Sequence, residues 1–296
     1  MEIAKGDYYW GTDGFPVTAR RVGPERRKQH AHDLTETPHH HDFAELVVIT
    51  AGSGLHHIDG VSYPVAAGDV FLLRGYTEHY FVERHAMEHY NVMFDPDKLP
   101  LPSAELRQMP GFQAFFVLEP AYRHRHRFKS RLHLDHSELA TVQDIILKIL
   151  SEDKSPAPGN AVAKYGLLIL LLVTIARHYQ QQPPSNKSKS LLRLGQVLGV
   201  LEEHCDEEWS LAKIARRAGM SESNLLLVFK EATGKSPIAY LLQLRLKKAA
   251  LLLRSTNLDM AEIAGRCGFN DSNYFSRQFR RQYGHSPRQW KKRFTL

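Results

Sequence analysis

The last third of this chain contains an internal repeat, with copies about 50 residues apart. Ile214–Met220 matches Ile263–Phe269, and Phe229–Pro237 matches Phe279–Pro287 with the same internal spacing. A duplicated segment of this length predicts two copies of one supersecondary unit.

Each copy has the residues that a helix-turn-helix unit requires. Ala215 and Ala264 are small enough to let two helices cross closely, and Gly219 and Gly268 suit the positive φ of the turn between them. Seven helices are expected between residues 191 and 294, including a long one over 237–253. A long rigid helix would hold two recognition helices about 34 Å apart, the spacing of successive major grooves. The predicted helix caps are Ser210, Ser221, Ser236, Asp259 and Ser286.

The second recognition helix presents a core side and a polar side. Phe275 and Phe279 are four residues apart and are predicted to lie in the core. Arg277 suits a guanine edge and Asn273 an adenine edge. The predicted DNA contacts of this unit are Asn273, Ser276 and Arg277 with bases, and Arg280 and Arg281 with phosphates.

The first recognition helix differs, because its corresponding positions are Ser223, Leu226 and Leu227, beside core residues Leu225 and Phe229. The two leucines either contact thymine methyl groups or indicate a unit that binds weakly. Any single arginine on these helices is also consistent with an ordinary solvated surface residue. A duplicated and capped unit, in contrast, favours DNA binding.

The distribution of charge separates the last third of the chain from the rest. Residues 190–296 contain 18 Lys and Arg against 10 Asp and Glu, whereas residues 1–189 contain 21 against 22. A polyanionic partner, double-stranded DNA, therefore suits only the C-terminal part. The two cysteines, Cys205 and Cys267, give no disulfide framework and suit a reducing compartment.

Residues 190–296 resemble the DNA-binding domain of the AraC/XylS transcriptional regulators, most closely over Ile263–Phe269, Ser272–Phe279 and Gly284–Pro287. The resemblance implies a transcription regulator that contacts RNA polymerase and is not an enzyme. The first recognition helix departs from the family pattern at Leu226 and Leu227.

The N-terminal part has short β-rich runs between glycine, aspartate and proline turns, which predict a small antiparallel barrel or sandwich. The runs are Glu45–Thr50, Leu55–Ile58, Val70–Leu73 and His89–Phe94.

Histidines and one glutamate in this part form a candidate effector pocket: His39, His41, Glu45 and His79. Their spacing, with Gly52 and Gly68, resembles the cupin motifs, although Arg74, Tyr76 and Glu83 depart from the second motif. Three interpretations remain open: polar lining of a ligand pocket, polarity inherited with the fold, and a site for Zn, Fe, Mn or Ni. No cofactor or metal is assigned. The neighbouring His40, His56 and His57 are predicted to be exposed.

Two helices are predicted between residues 137 and 182, followed by an exposed linker over 180–190. The apolar faces of these helices suit either a dimer interface or packing against the chain's own barrel. The fold is therefore predicted to be multidomain α+β: a cupin-like barrel over 1–136, a helical connecting or dimerisation region over 137–182, and an all-α DNA-binding domain over 183–296.

The whole chain, and especially the segment His40–Val47, is most similar to the rhamnose-responsive activators within that family, which implies a sugar effector, with rhamnose as the leading candidate. A homodimer is also expected. The sequence lacks a signal peptide and its apolar runs are short, so a cytoplasmic protein without membrane contact is expected. The alternative is a metal-dependent cupin enzyme with an attached DNA-binding domain.

Overall fold

The computed structural model describes residues 2–11, 13–24, 35–75, 77–120, 132–154, 157–182 and 186–293. The chain divides into two compact units, Met1–Leu192 and Arg193–Leu296. The first is rich in β-sheet and the second is helical, so the predicted α+β multidomain class is confirmed.

Eight strands form one largely antiparallel sheet among the described residues of the N-terminal unit. The long strands β4 and β7 pair along most of their length. Strands β5 and β6 pair with β4, and β2 and β3 pair with β7. The strands are β1 Glu2–Ala4, β2 Val17–Val22, β3 His39–His41, β4 Ala44–Ile58, β5 Val61–Ala66, β6 Asp69–Arg74, β7 His79–Phe94 and β8 Leu132–His133.

Two of the predicted β-rich runs belong to one strand, because β4 continues through Gly52 and Gly54. The register of β4 against β7 shifts between Ile49 and Leu55. Gly52 has a φ of 67°, and a Cβ there would lie 2.3 Å from the carbonyl oxygen of Ala86. The glycine therefore marks an irregularity within a strand rather than a turn between two strands.

The helices of the N-terminal unit are α1 Ser103–Gln108, α2 Pro110–Phe112, which continues as a π-helix over Gln113–Leu118, α3 His136–Lys154 and α4 Asn160–Gln181. The last two confirm the helical pair predicted over 137–182. Helix α3 buries Leu139, Val142 and Ile149 and contacts β2 and α4, so its apolar stripe packs within its own unit.

Helix α4 has 22 residues and a mean hydropathy of 1.5 over its most apolar window; by length and composition it is the one described helix that passes as a membrane span. Core helices of soluble proteins pass the same test, and α4 packs against α2 and α3. It also buries Lys164, whose Nζ lies 3.0 Å from carboxylate oxygens of both Asp13 and Asp153. Asp153 in turn accepts a 2.8 Å hydrogen bond from Thr18 Oγ1 on β2.

The helices of the C-terminal part are α5 Asn186–Glu203, α6 Leu211–Ala218, α7 Glu222–Thr233, α8 Pro237–Ser255, α9 Met260–Arg266, α10 Ser272–Tyr283 and α11 Pro287–Lys292. Seven helices were expected, and seven occur within the described residues 186–293. The predicted linker contains the first residues of α5, and residues 183–185 lie outside the described part. The domain limits drawn from the sequence stay a prediction.

Both helix-turn-helix units have the predicted local chemistry. Gly219 and Gly268 have φ values of 59° and 78° at the two turns. All five predicted caps accept a hydrogen bond from a backbone N–H of the helix that follows, and Asp259 and Ser286 form reciprocal capping boxes.

Candidate DNA interface and effector cavities

The second recognition helix, α10, separates a buried face from an exposed one. Phe275 and Phe279 are fully buried and contact each other edge-on, with ring centroids 5.7 Å apart. Asp271 caps the helix by accepting a 2.7 Å hydrogen bond from the Asn273 backbone N–H. Asn273 and Arg277 are exposed and Ser276 is half-buried. The side chains predicted to contact bases therefore lie away from the core.

The cations of α10 are available to a polyanion. Arg277, Arg280 and Arg281 are all exposed. Within the described part of the chain, none of the three guanidinium groups takes part in an ion pair, whereas Lys213 and Lys248 elsewhere in the unit pair with carboxylates. Unpaired guanidinium groups on one helix suit phosphate and base-edge contacts.

The first recognition helix, α7, presents apolar side chains instead. Leu225 and Phe229 are fully buried, as predicted. Ser223 is exposed, and Leu226 and Leu227 retain 39% and 59% of their accessible surface. Exposure of two leucines costs solvation free energy, so these positions suit an apolar partner such as a thymine methyl group.

Three of the four predicted pocket residues converge in the N-terminal unit. His41 ends β3, Glu45 lies near the start of β4 and His79 begins β7. Glu45 Oε2 lies 3.5 Å from His41 Nε2 and 3.4 Å from His79 Nε2, and all three side chains are buried. His39 lies beside them, with its ring centroid 4.3 Å from that of His79.

Hydrogen bonds orient these rings. His41 Nδ1 lies 2.8 Å from the carbonyl oxygen of Phe43, and His39 Nδ1 lies 2.7 Å from that of Thr37. A carbonyl accepts, so each Nδ1 carries the proton, and in the neutral ring Nε2 carries a lone pair. His79 Nδ1 lies 3.3 Å from His56 Nε2.

The protonation of the cluster follows from its surroundings. Burial raises the pKa of Glu45, but a hydrogen bond with His41 and the positive charges that His41, His39 and His89 carry when protonated outweigh it and hold that pKa below its usual value. Burial and the surrounding histidines lower the pKa of His79 well below its usual value. Glu45 is therefore a carboxylate and His79 a neutral imidazole near pH 7.

The cavity around this cluster, called the sheet cavity below, is small. Its volume is about 30 Å³, and Arg20, Thr35 and Asn91 also line it. Such a volume holds an ion or one or two waters, whereas ordinary small-molecule pockets have roughly 300–1,000 Å³.

The prediction that His40 and His56 are exposed is wrong, because both are buried; His57 is half-buried. His56 stacks on Phe81 with ring centroids 4.1 Å apart. The register shifts within β4 decide which residues face the core, and a sequence pattern of alternation does not show them.

A larger cavity, which the sequence did not predict, lies between the sheet and the helices of the same unit. This helix cavity has a volume of about 350 Å³, with an apolar wall that includes Phe94, Phe116 and Leu172, and with Arg74, Asp97 and Arg107 as its charged groups. Burial and the charge of Arg107 lower the pKa of Arg74. The charge of Asp97 raises it, but the net effect is a lower pKa. One feature of the sequence indicated a charged group at this cavity, the departure from the cupin pattern at Arg74.

Two family models match the chain: an AraC-like ligand binding domain over residues 21–163 and a helix-turn-helix domain over residues 214–293. The chain is 30% identical to the HTH-type transcriptional activator RhaR of Mannheimia succiniciproducens, over 97% of this chain and 95% of that protein. It is 31% identical to the HTH-type transcriptional activator RhaS of Escherichia coli O1:K1 / APEC, over 93% of this chain and 94% of that protein. A solved transcriptional regulator from Chromobacterium violaceum is 30% identical over 35% of this chain and 93% of that one, with a TM-score of 0.34.

Proposed function

Because the chain belongs to the AraC-type family of transcriptional regulators, we propose that it activates transcription when a small molecule, a sugar such as rhamnose, binds its N-terminal unit. The observation that carries the proposal is the presence, in one chain, of a ligand-binding unit with cavities and of two capped helix-turn-helix units with exposed readers.

The DNA contacts divide by chemistry. Arg277 and Asn273 bond base edges in the major groove, and Ser276 contributes beside them. Arg280 and Arg281 contact phosphates and supply affinity without sequence choice. In the first unit, Ser223, Leu226 and Leu227 contact the groove, where the leucines select thymine by its methyl group. The absence of ion pairs on the exposed guanidinium groups within the described residues supports this assignment.

Two locations for the effector have support. His39, His41, Glu45 and His79 offer the convergent polar groups that sugar hydroxyls require, but the sheet cavity must widen to admit a monosaccharide. The helix cavity already has the volume of a small-molecule pocket. Its charged groups, Arg74, Asp97 and Arg107, suit hydroxyl or anionic groups of a ligand.

Control by the effector requires that it bind two states of the protein with unequal affinity. The state that it favours is the one able to hold two DNA half-sites. We expect a cytoplasmic homodimer that contacts RNA polymerase and catalyses no reaction. Leu147 on α3 and Val162 and Leu170 on α4 retain 46%, 75% and 50% of their accessible surface, which supports a helical dimer interface.

The proposal is tested by thermal unfolding and by DNA binding in the presence of a panel of sugars. An effector at 100 times its dissociation constant is expected to stabilise the protein by about 2.7 kcal/mol. It is also expected to raise affinity for an operator selected from random duplexes. If no sugar changes either quantity, the proposed class of effector is wrong.

Two substitutions separate the candidate locations. His39→Gln abolishes the stabilisation if the effector lies in the sheet cavity, and Arg74→Gln abolishes it if the effector lies in the helix cavity. Arg21→Gln, a change at an exposed arginine that contacts neither cavity, is the control and leaves the shift unchanged.

A further inference from the structure

The two cavities of the N-terminal unit lie on opposite faces of the same strands. Ala44 of β4 pairs with Arg74 of β6 and with Phe94 of β7, and the next residue of β4, Glu45, pairs with Met93. Successive residues of a strand point to opposite faces of a sheet. Glu45 and Met93 line the sheet cavity, whereas Arg74 and Phe94 line the helix cavity. A ligand in the helix cavity therefore contacts none of the histidines that line the sheet cavity.

The inner wall of the helix cavity is apolar and is built from four elements. Phe94 belongs to β7 and Leu106 to α1. Phe116 lies in the π-helix that continues α2, Leu172 lies on α4, and all four side chains are buried. Sugar hydroxyl groups placed against this wall would lose hydrogen bonds to water without replacing them. The wall therefore suits the apolar part of a ligand.

The charged groups of the helix cavity lie on its solvent side. Arg74 and Asp97 are exposed and Arg107 is half-buried, so two positive charges and one negative charge face a ligand. Within the described part of the chain, the side chain of Arg74 has no hydrogen bond or ion pair. One anionic group bound by the two arginines would neutralise the cavity and form charge-assisted hydrogen bonds with guanidinium groups.

The helical side of the cavity has an uncommon backbone conformation. Gln113–Leu118 form a π-helix, which is rare in proteins and occurs frequently at functional sites. Phe116 and Val117 of this segment line the cavity. Gln113 Nε2 donates a 3.1 Å hydrogen bond to the carbonyl oxygen of Arg107. The π-helix therefore supplies part of the apolar wall and is bonded to the residue that supplies one of the charges.

We propose that the helix cavity binds a small organic carboxylate with an apolar body. The carboxylate pairs with Arg74 and Arg107, and the apolar body contacts the buried wall. The volume of about 350 Å³ lies within the range of ordinary small-molecule pockets. This ligand class goes beyond the sugar effector and leaves the sugar to the sheet cavity, since the two cavities share no lining residue.

The test is isothermal titration of the full chain with a panel of small aryl and alkyl carboxylates, each compared with its uncharged amide. The first pair is 3-phenylpropionate and 3-phenylpropionamide. The carboxylate is expected to bind about 10-fold or more tightly than the amide, because hydrogen bonds between charged groups are stronger than neutral ones.

Substitutions separate the charges of the cavity from its shape. Arg74→Gln and Arg107→Gln are each expected to weaken carboxylate binding by about 10-fold or more and to change amide binding little. Asp97→Asn removes the negative charge and is expected to strengthen carboxylate binding, a result that a general loss of stability cannot produce. Arg21→Gln is the matched control, because Arg21 is exposed and lies outside the cavity, and it leaves both affinities unchanged.

The proposal is overturned if no carboxylate of the panel binds at millimolar concentration, or if each carboxylate and its amide bind equally. It is equally overturned if Arg74→Gln, with unchanged circular dichroism, binds 3-phenylpropionate as tightly as the parent chain. A sugar that competes with 3-phenylpropionate would also overturn it, because the sugar would then occupy this cavity.

Failure of this proposal is distinguishable from failure of the proposed function. Carboxylate binding without any response to sugars keeps the carboxylate site and rejects the sugar effector. A sugar response that persists in Arg74→Gln, in a chain that binds no carboxylate, keeps the proposed function and rejects the carboxylate site.

Discussion

Arg277 illustrates how one side chain on a recognition helix can carry sequence choice. It lies on the exposed face of α10, opposite Phe275 and Phe279, and it has no ion-pair partner among the described residues. Two N–H groups of a guanidinium match the two acceptors of a guanine edge, so this contact discriminates between bases.

Arg277→Ala is expected to weaken operator binding by roughly 1–3 kcal/mol and to relax preference at one base pair. The measurement is fluorescence anisotropy with a selected operator and its single-base variants. Arg280→Ala is the comparison, because loss of a phosphate contact weakens all sequences about equally. An unchanged base preference in Arg277→Ala would remove this residue from the DNA interface.

Cys267 shows the effect of burial on a single ionisable group. The residue is fully buried in the C-terminal core, and burial raises the pKa of its thiol to about 12. At pH 8 the thiol is therefore protonated and unreactive, since the thiolate is the nucleophile. We expect a disulfide reagent to label Cys267 at pH 8 only after addition of guanidinium chloride, and rapid labelling of the folded protein would contradict this.

At the scale of single elements, the turn between α9 and α10 depends on one glycine. Gly268 has a φ of 78°, and a Cβ there would lie 2.6 Å from the backbone oxygen of Asp206. Gly265, three residues earlier in α9, has no atom within 4 Å of the position of a Cβ.

Gly268→Ala is expected to destabilise the C-terminal unit by about 1–3 kcal/mol, because the conformation is strained for any residue with a Cβ. Gly265→Ala is the matched control and is expected to stabilise its helix by up to about 1 kcal/mol. Urea unfolding followed by Trp209 and Trp290 fluorescence, in a Trp10→Phe background, measures both. Equal stability of the two variants would be inconsistent with this account of the turn.

Lys164 connects elements that are distant in sequence. It is fully buried on α4 and pairs with Asp153 at the end of α3 and with Asp13 before β2. Lys148, on the exposed side of α3, pairs with Asp144 within the same helix.

Lys164→Met is expected to cost about 3–5 kcal/mol, since it leaves two carboxylates without their buried cation. Lys148→Met removes an exposed pair and is expected to cost less than about 0.5 kcal/mol. Thermal unfolding of the N-terminal unit measures the stability of both variants. A small loss of stability in Lys164→Met would mean that water replaces the ammonium group.

At the scale of the whole molecule, charge is divided between the two parts. Residues 190–296 have an excess of basic groups, whereas residues 1–189 are nearly balanced. Phosphate contacts release counterions, so the affinity for DNA falls linearly with salt on a double-logarithmic scale.

Arg280→Ala and Arg281→Ala are each expected to reduce the magnitude of that salt slope by about one. Titrations of the full chain with duplex DNA at several salt concentrations give the slope. Arg21→Ala, in the N-terminal unit, is expected to leave it unchanged. A slope that responds equally to all three substitutions would contradict the division of charge.

Features that depend on short-range order could be predicted from the residues alone. A serine or aspartate cap bonds a backbone group a few residues away, and Phe275 and Phe279 share a helix face because they are four residues apart. The helix-turn-helix units, their caps and their exposed faces were therefore predictable. The predicted groups Glu45 and His79 also meet, since their cupin-like spacing specified the strands that present them.

Features that depend on contacts between distant segments became visible only in the folded chain. Burial of His56 follows from register shifts in β4, the helix cavity from the packing of α4 beside the sheet, and the Lys164 network from residues 151 positions apart. Side-chain direction along a strand reverses with every one-residue shift, and a cavity is bounded by elements whose packing against each other no local sequence pattern shows.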